Sequence, residues 1–130
     1  MLIEESSGTI HMLDWELAHV GDPREDLGWW MLAHQSQPPV LIDADEDRFL
    51  RRYRERTGLS EGVVNPATVA YFTVFSALGV FTNVIGATAA MARGQASGMS
   101  VAYMTNAIPF MHGVYVDAMR RAGAWREETA

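Results

Sequence analysis

Residues 13–30 read LDWELAHVGDPREDLGWW. An apolar run closes on Asp14-Trp15-Glu16, the chain turns at Gly21-Asp22-Pro23, and a segment of helical periodicity follows. Asp22 has the chemistry of an N-cap, with Pro23 at the first helical position and Glu25 at the third, which is the pattern of a capping box. Leu27, Trp30, Met31 and His34 then recur at helical spacing, with Leu27, Trp30 and Met31 as an apolar stripe. Strand, loop and helix are therefore expected here, with the helix over 22–35. A carboxylate between a strand and a helix is a common place to hold a hard cation such as Mg²⁺.

Upstream, Met1 to Ile3 and Thr9 to Leu13 are short apolar or β-branched runs on either side of Glu4-Glu5-Ser6-Ser7-Gly8. That is a hairpin signal, so residues 1–16 are expected to form a β-hairpin whose second strand delivers Asp14. If the strand continued, Asp14 and Glu16 would share one face and Trp15 would point into the core. A lone hairpin is marginal in water, so it is expected to pack on other protein.

Downstream the chain reads as helices. Asp43 with Glu46 predicts a capped helix over 43–57, with Phe49, Leu50 and Tyr53 on a narrow apolar face and arginines covering the rest. Its interleaved Asp47 and Glu55 favour an ordinary solvated face over an anion site. Thr57-Gly58 is a stop signal. Asn65-Pro66 opens a third helix over 65–93, and no charged side chain occurs from Gly62 to Ala92. Its length would span a bilayer, but its Thr, Asn, Ser and Gly content favours a core helix surrounded by protein over a membrane span. A last helix over 97–122, capped by Ser97 and closed by Gly123, contains Pro109, which should kink or break it. The fold class expected is mainly α, a short N-terminal hairpin followed by about four helices.

Composition narrows the function. The chain has 130 residues, 48% apolar, with a net charge of −6 and no cysteine. That is one globular domain. The acidic balance argues against nonspecific nucleic-acid binding, and the lack of cysteine excludes a disulfide framework and fits a cytoplasmic protein. The four histidines show no metal-ligand spacing, and neither a nucleophile elbow nor a P-loop pattern occurs.

The pattern D-W-E-x-A-x-x-G-D-P-x-x-D-L over residues 14–27 resembles the second half of the active site in the aminoglycoside phosphotransferase and choline kinase-like family. The resemblance implies a kinase-like fold that moves the ATP γ-phosphate to a small-molecule hydroxyl, this chain matching its C-terminal lobe. It implies that Asp14 holds Mg²⁺, with Glu16 either a second carboxylate near the metal or a solvated side chain. Asp22 and Asp26 are structural on either view, as cap and first-turn acid, with Asp26 also implied to brace the catalytic loop. The family's H-G-D-x-x-x-x-N loop does not occur in these residues. The resemblance therefore implies a C-terminal fraction, inactive alone, with ATP and Mg²⁺ belonging to the full-length enzyme. Tyr71, Phe75, Tyr103 and His112 are candidates for a small-molecule substrate pocket. The other reading is a non-catalytic helical module that binds a ligand or dimerises through the helices of residues 62–115.

Overall fold

A computed structural model describes residues 2–13, 15, 18–36, 45–95 and 98–128, the side chains at 36, 98–101, 103–107, 110 and 124–128 excepted. Strands β1 (Leu2–Glu4) and β2 (Thr9–His11) pair antiparallel, with Ile3 opposite Ile10. The turn between them closes through Gly8 N donating to Glu4 O at 2.8 Å, with Gly8 at φ 69°, a conformation that suits glycine. Ser7 Oγ bonds Glu4 and Thr9 across it. Every described residue of this ribbon is exposed.

Helices α1 (Arg24–Ser36), α2 (Glu46–Thr57), α3 (Pro66–Ala92) and α4 (Gly98–Glu128) follow. The chain is thus mainly helical with a short N-terminal hairpin. Asn65 caps α3: its Oδ1 accepts from Thr68 N at 2.9 Å, while Thr68 Oγ1 accepts from Asn65 N at 3.1 Å. Asn65→Ala removes one half of this reciprocal pair and is expected to cost about 1 kcal/mol, read as a lowered urea midpoint at unchanged slope. Gly58 and Gly94, both at positive φ, end α2 and α3 as their sequence positions suggest.

Two boundaries differ from the sequence expectation. The α2 cap is Asp45, whose Oδ1 accepts from Arg48 N at 3.0 Å; the third helical residue is then an arginine, so the cap works one way only. Asp43 lies outside the described residues, as does Ser97. Helix α4 runs through Pro109 and past Gly123 to Glu128 without interruption. Neither residue ends it, because a proline costs a helix one hydrogen bond and a glycine about 1 kcal/mol, and continued winding on both sides can offset each.

The core has two parts. Leu27, Met31, Leu50, Val64 and Val69 join α1, α2 and the start of α3. Leu32, Ala77, Val80, Val84 and Val114 join α1, α3 and α4. Trp30 stacks on Phe49 with ring centres 3.9 Å apart and on His34 at 5.2 Å, tying α2 to α1. Buried Thr73 and Ser76 donate to the carbonyls of Val69 and Phe72, so α3 carries them without an orphaned hydroxyl.

Among the described residues, helix α3 is covered on one side and not surrounded by protein. Its Val69, Thr73, Ser76, Val80 and Val84 are buried, whereas Tyr71, Phe75, Leu78 and Ile85 on the far side are exposed. The composition of this helix favours a core position on all sides, but an apolar helix with neighbours on one side can bury only that side. By length and composition α3 is apolar enough to cross a membrane, and its buried side packs within the bundle.

Candidate functional site

The segment between the hairpin and α1 bends around a cavity of about 600 Å³, walled by Met12, Leu13 and Trp15 on one side and by His19, Asp22 and Asp26 on the other. Strand β2 stops at His11, three residues short of Asp14. Beyond it Trp15 lies in a single helical turn, with Ala18 N donating to Trp15 O at 2.9 Å. Its indole N–H donates to Met12 O at 2.9 Å and the side chain is 67% exposed. Trp15 therefore does not enter the core, because the two-residue alternation of a strand ends before it is reached. Asp14 and Glu16 themselves lie outside the described residues.

The helix side of the cavity is built by the capping sequence. Asp22 Oδ1 accepts from Arg24 N at 2.9 Å, and Glu25 Oε1 accepts from Asp22 N at 3.4 Å. Asp22 also holds the Arg24 side chain, Oδ1 to Nε at 2.9 Å and Oδ2 to Nη2 at 2.7 Å. The Arg24 side-chain bonds first, then its backbone N–H, hold the Asp22 carboxyl down at about 2, from an ordinary 3.8. With both oxygens committed, Asp22 serves as a cap and an arginine anchor. Arg24, whose guanidinium also lies 4.9 Å from the Phe72 ring centre, fastens the start of α1 to α3. No sequence pattern had singled it out.

The linkage runs in one direction. A carboxyl whose pKa is lower folded than unfolded contributes stability above the unfolded value, and loses it as pH falls through the folded one. Between pH 4 and 2, wild type should therefore lose thermal stability relative to Asp22→Asn. The Asp22 side chain is 34% exposed, so solvent screening limits the difference at neutral pH to about 2–4 °C in Tm. Paired melts across that range check it, and a pH-independent difference would remove Asp22 as the titrating group.

Glu25 uses its second oxygen to meet His19 Nε2 at 3.0 Å, which draws the loop back over the helix start. Asp26 is exposed on the cavity wall. Tyr53 of α2 donates to Pro23 O at 3.3 Å, and its phenol pKa is raised by burial first and then by Asp26 and Asp22. The cavity thus has an acidic floor in Asp26 and Glu25, hard oxygen donors of the type Mg²⁺ takes. No cluster of three metal-ligating side chains occurs among the described residues.

The substrate candidates are scattered. Tyr71 lines a separate cavity of about 530 Å³ with Phe72 and Met119, Phe75 and His112 are exposed, and the Tyr103 side chain lies outside the described residues. The arginines at 48, 51, 52 and 56 are exposed, while Arg54 turns inward and donates to Val64 O at 2.9 Å. No family model matches the chain, and neither the curated proteins nor the solved structures gave a match.

Proposed function

We propose that these residues are the C-terminal, mainly helical part of an ATP-dependent small-molecule phosphotransferase of the aminoglycoside phosphotransferase type. One observation carries the proposal: of the described residues of the D-W-E…G-D-P…D-L pattern, Trp15, Ala18, Gly21, Asp22, Pro23 and Asp26 wall one cavity, while Leu27 is buried in the core behind it. Trp15 and Asp26, 11 apart in sequence, meet there beside the carboxylate of Glu25. The motif's Asp22 is engaged by Arg24, which fits its expected structural role as a cap.

In the whole enzyme Asp14 would hold Mg²⁺, which when bound neutralises charge on the β- and γ-phosphates. Glu16 would stand beside it. Asp26, at the first turn of α1, would receive backbone amides of the catalytic loop. The base that orients the acceptor hydroxyl would come from that loop. The chain's own part is positioning: Asp22, Glu25 and Arg24 fix the start of α1, and α1 fixes the cavity wall.

The test is transfer of the γ-phosphate of ATP, with Mg²⁺, by the longest natural form of the protein against a panel of aminoglycosides, amino alcohols and sugars. Transfer to one class supports the proposal. A long form that carries the loop, binds Mg²⁺-ATP and phosphorylates none of them would count against it.

A further inference from the structure

We infer that the exposed face of α3 is a self-complementary surface that takes a second copy of this chain, antiparallel, about a two-fold axis near Leu78. Tyr71, Phe75, Leu78, Thr82 and Ile85 are spaced by four, three, four and three residues, which lines them up on one side of a helix. All five are exposed, Tyr71 at 60%, Phe75 at 57% and Ile85 at 69%. The stripe is about 21 Å long. It lies opposite the buried Val69, Thr73, Val80 and Val84.

The two ends of the stripe differ in a way that fits them to each other. The N-terminal end carries the bulky rings of Tyr71 and Phe75. The C-terminal half carries Ile85 along one edge and a hollow at Thr82 between Gly79 and Gly86, where an added Cβ would meet nothing within 4 Å. Two copies in parallel would set ring against ring and hollow against hollow. Turned antiparallel, each Phe75 faces the hollow of Gly79, Thr82 and Gly86 on the other copy, twice over, as an isologous contact requires.

Charge points the same way. The molecule carries −6 overall, yet α3 carries none, so the copies meet along the neutral strip and keep their like charges apart. Raising the salt should therefore tighten the association by screening what repulsion remains. Tyr71 and Met119 share a cavity, so the patch continues onto α4. This inference does not depend on the phosphotransferase proposal.

The chain has no cysteine, which makes the arrangement directly testable. Sedimentation equilibrium of the unmodified chain should show a monomer–dimer equilibrium in the micromolar range. Leu78→Cys should be joined to its copy by a short bifunctional maleimide, and Tyr71→Cys should not, since antiparallel copies hold the two Tyr71 positions more than about 20 Å apart. Gly86→Leu fills the hollow and should weaken dimerisation about tenfold or more. The same change should raise the melting temperature of the dilute monomer, because leucine suits a helix better than glycine. A strict monomer, cross-linking at Tyr71→Cys alone, undiminished association of Gly86→Leu, or a monomer that instead sediments with phosphatidylcholine vesicles would each overturn the inference.

Discussion

Asp14→Asn in the longest natural form of the protein is expected to lower Mg²⁺-dependent phosphotransfer by about 10²- to 10³-fold. The change keeps the size of the side chain and one of its oxygens. It removes the negative charge that a hard, strongly hydrated cation needs in order to give up water for a protein ligand. The loss should fall on kcat more than on the KM for the acceptor, because charge builds on the transferring group in the transition state. The apparent Mg²⁺ requirement should rise as well, and more Mg²⁺ should recover part of the rate. Glu16→Gln separates the two roles open to that residue: a second metal carboxylate gives a loss of the same kind, and a solvated Glu gives none. A rate for Asp14→Asn near wild type would take Asp14 out of the metal site.

Gly28→Ala is expected to destabilise the fold by about 3 kcal/mol, a large share of what a domain of this size has. A Cβ built on Gly28 would stand 2.5 Å from the carbonyl carbon and oxygen of Phe72 and 2.8 Å from its Cβ. Two of those three atoms are backbone of α3, so no rotamer change relieves the overlap and the helices must separate. Intrinsic propensity acts the other way, favouring alanine by about 1 kcal/mol, so packing outweighs it. Gly113→Ala on α4 is the control, since an added Cβ there meets nothing within 4 Å; it should be neutral or slightly stabilising. Urea unfolding of the pair reads both, and equal midpoints would mean that α1 and α3 approach less closely than 2.5 Å implies.

Much of the secondary structure was legible because local chemistry writes it. Asn65-Pro66 and Asp22-Pro23 announce helix starts through donors that need acceptors, and Gly8, Gly58 and Gly94 mark chain reversals through their positive φ. What depended on neighbours was not legible. Gly28 gives no apolar signal, yet the backbone of α3 at Phe72 packs directly against it. Leu32 is among the most buried residues, though it falls beside the Leu27-Trp30-Met31 stripe, because a second core meets α1 on that side. The uncharged run of α3 stated that the helix avoids water but not how many sides are covered. At the candidate site, the Asp22 cap could be anticipated from residue order, whereas its grip on Arg24 could not, since a two-residue spacing has no fixed geometry outside a helix or strand. The D-W-E triplet carried the chemical expectation by resemblance alone.

The hairpin bears on how the protein behaves in a tube. A two-stranded ribbon has two free margins, and each presents outward N–H and C=O groups to which another extended chain can bond. Here the ribbon is three residues wide on each strand, has Ile3 across from Ile10, and lies exposed. Only Glu4 within the strands, with Glu5 in the turn, supplies charge that discourages such pairing. At high concentration, or during refolding, the first irreversible association should therefore begin at β1 and β2 rather than at the helices, and a lysine at Ile3 or Ile10 should prolong the shelf life of the preparation without altering the bundle.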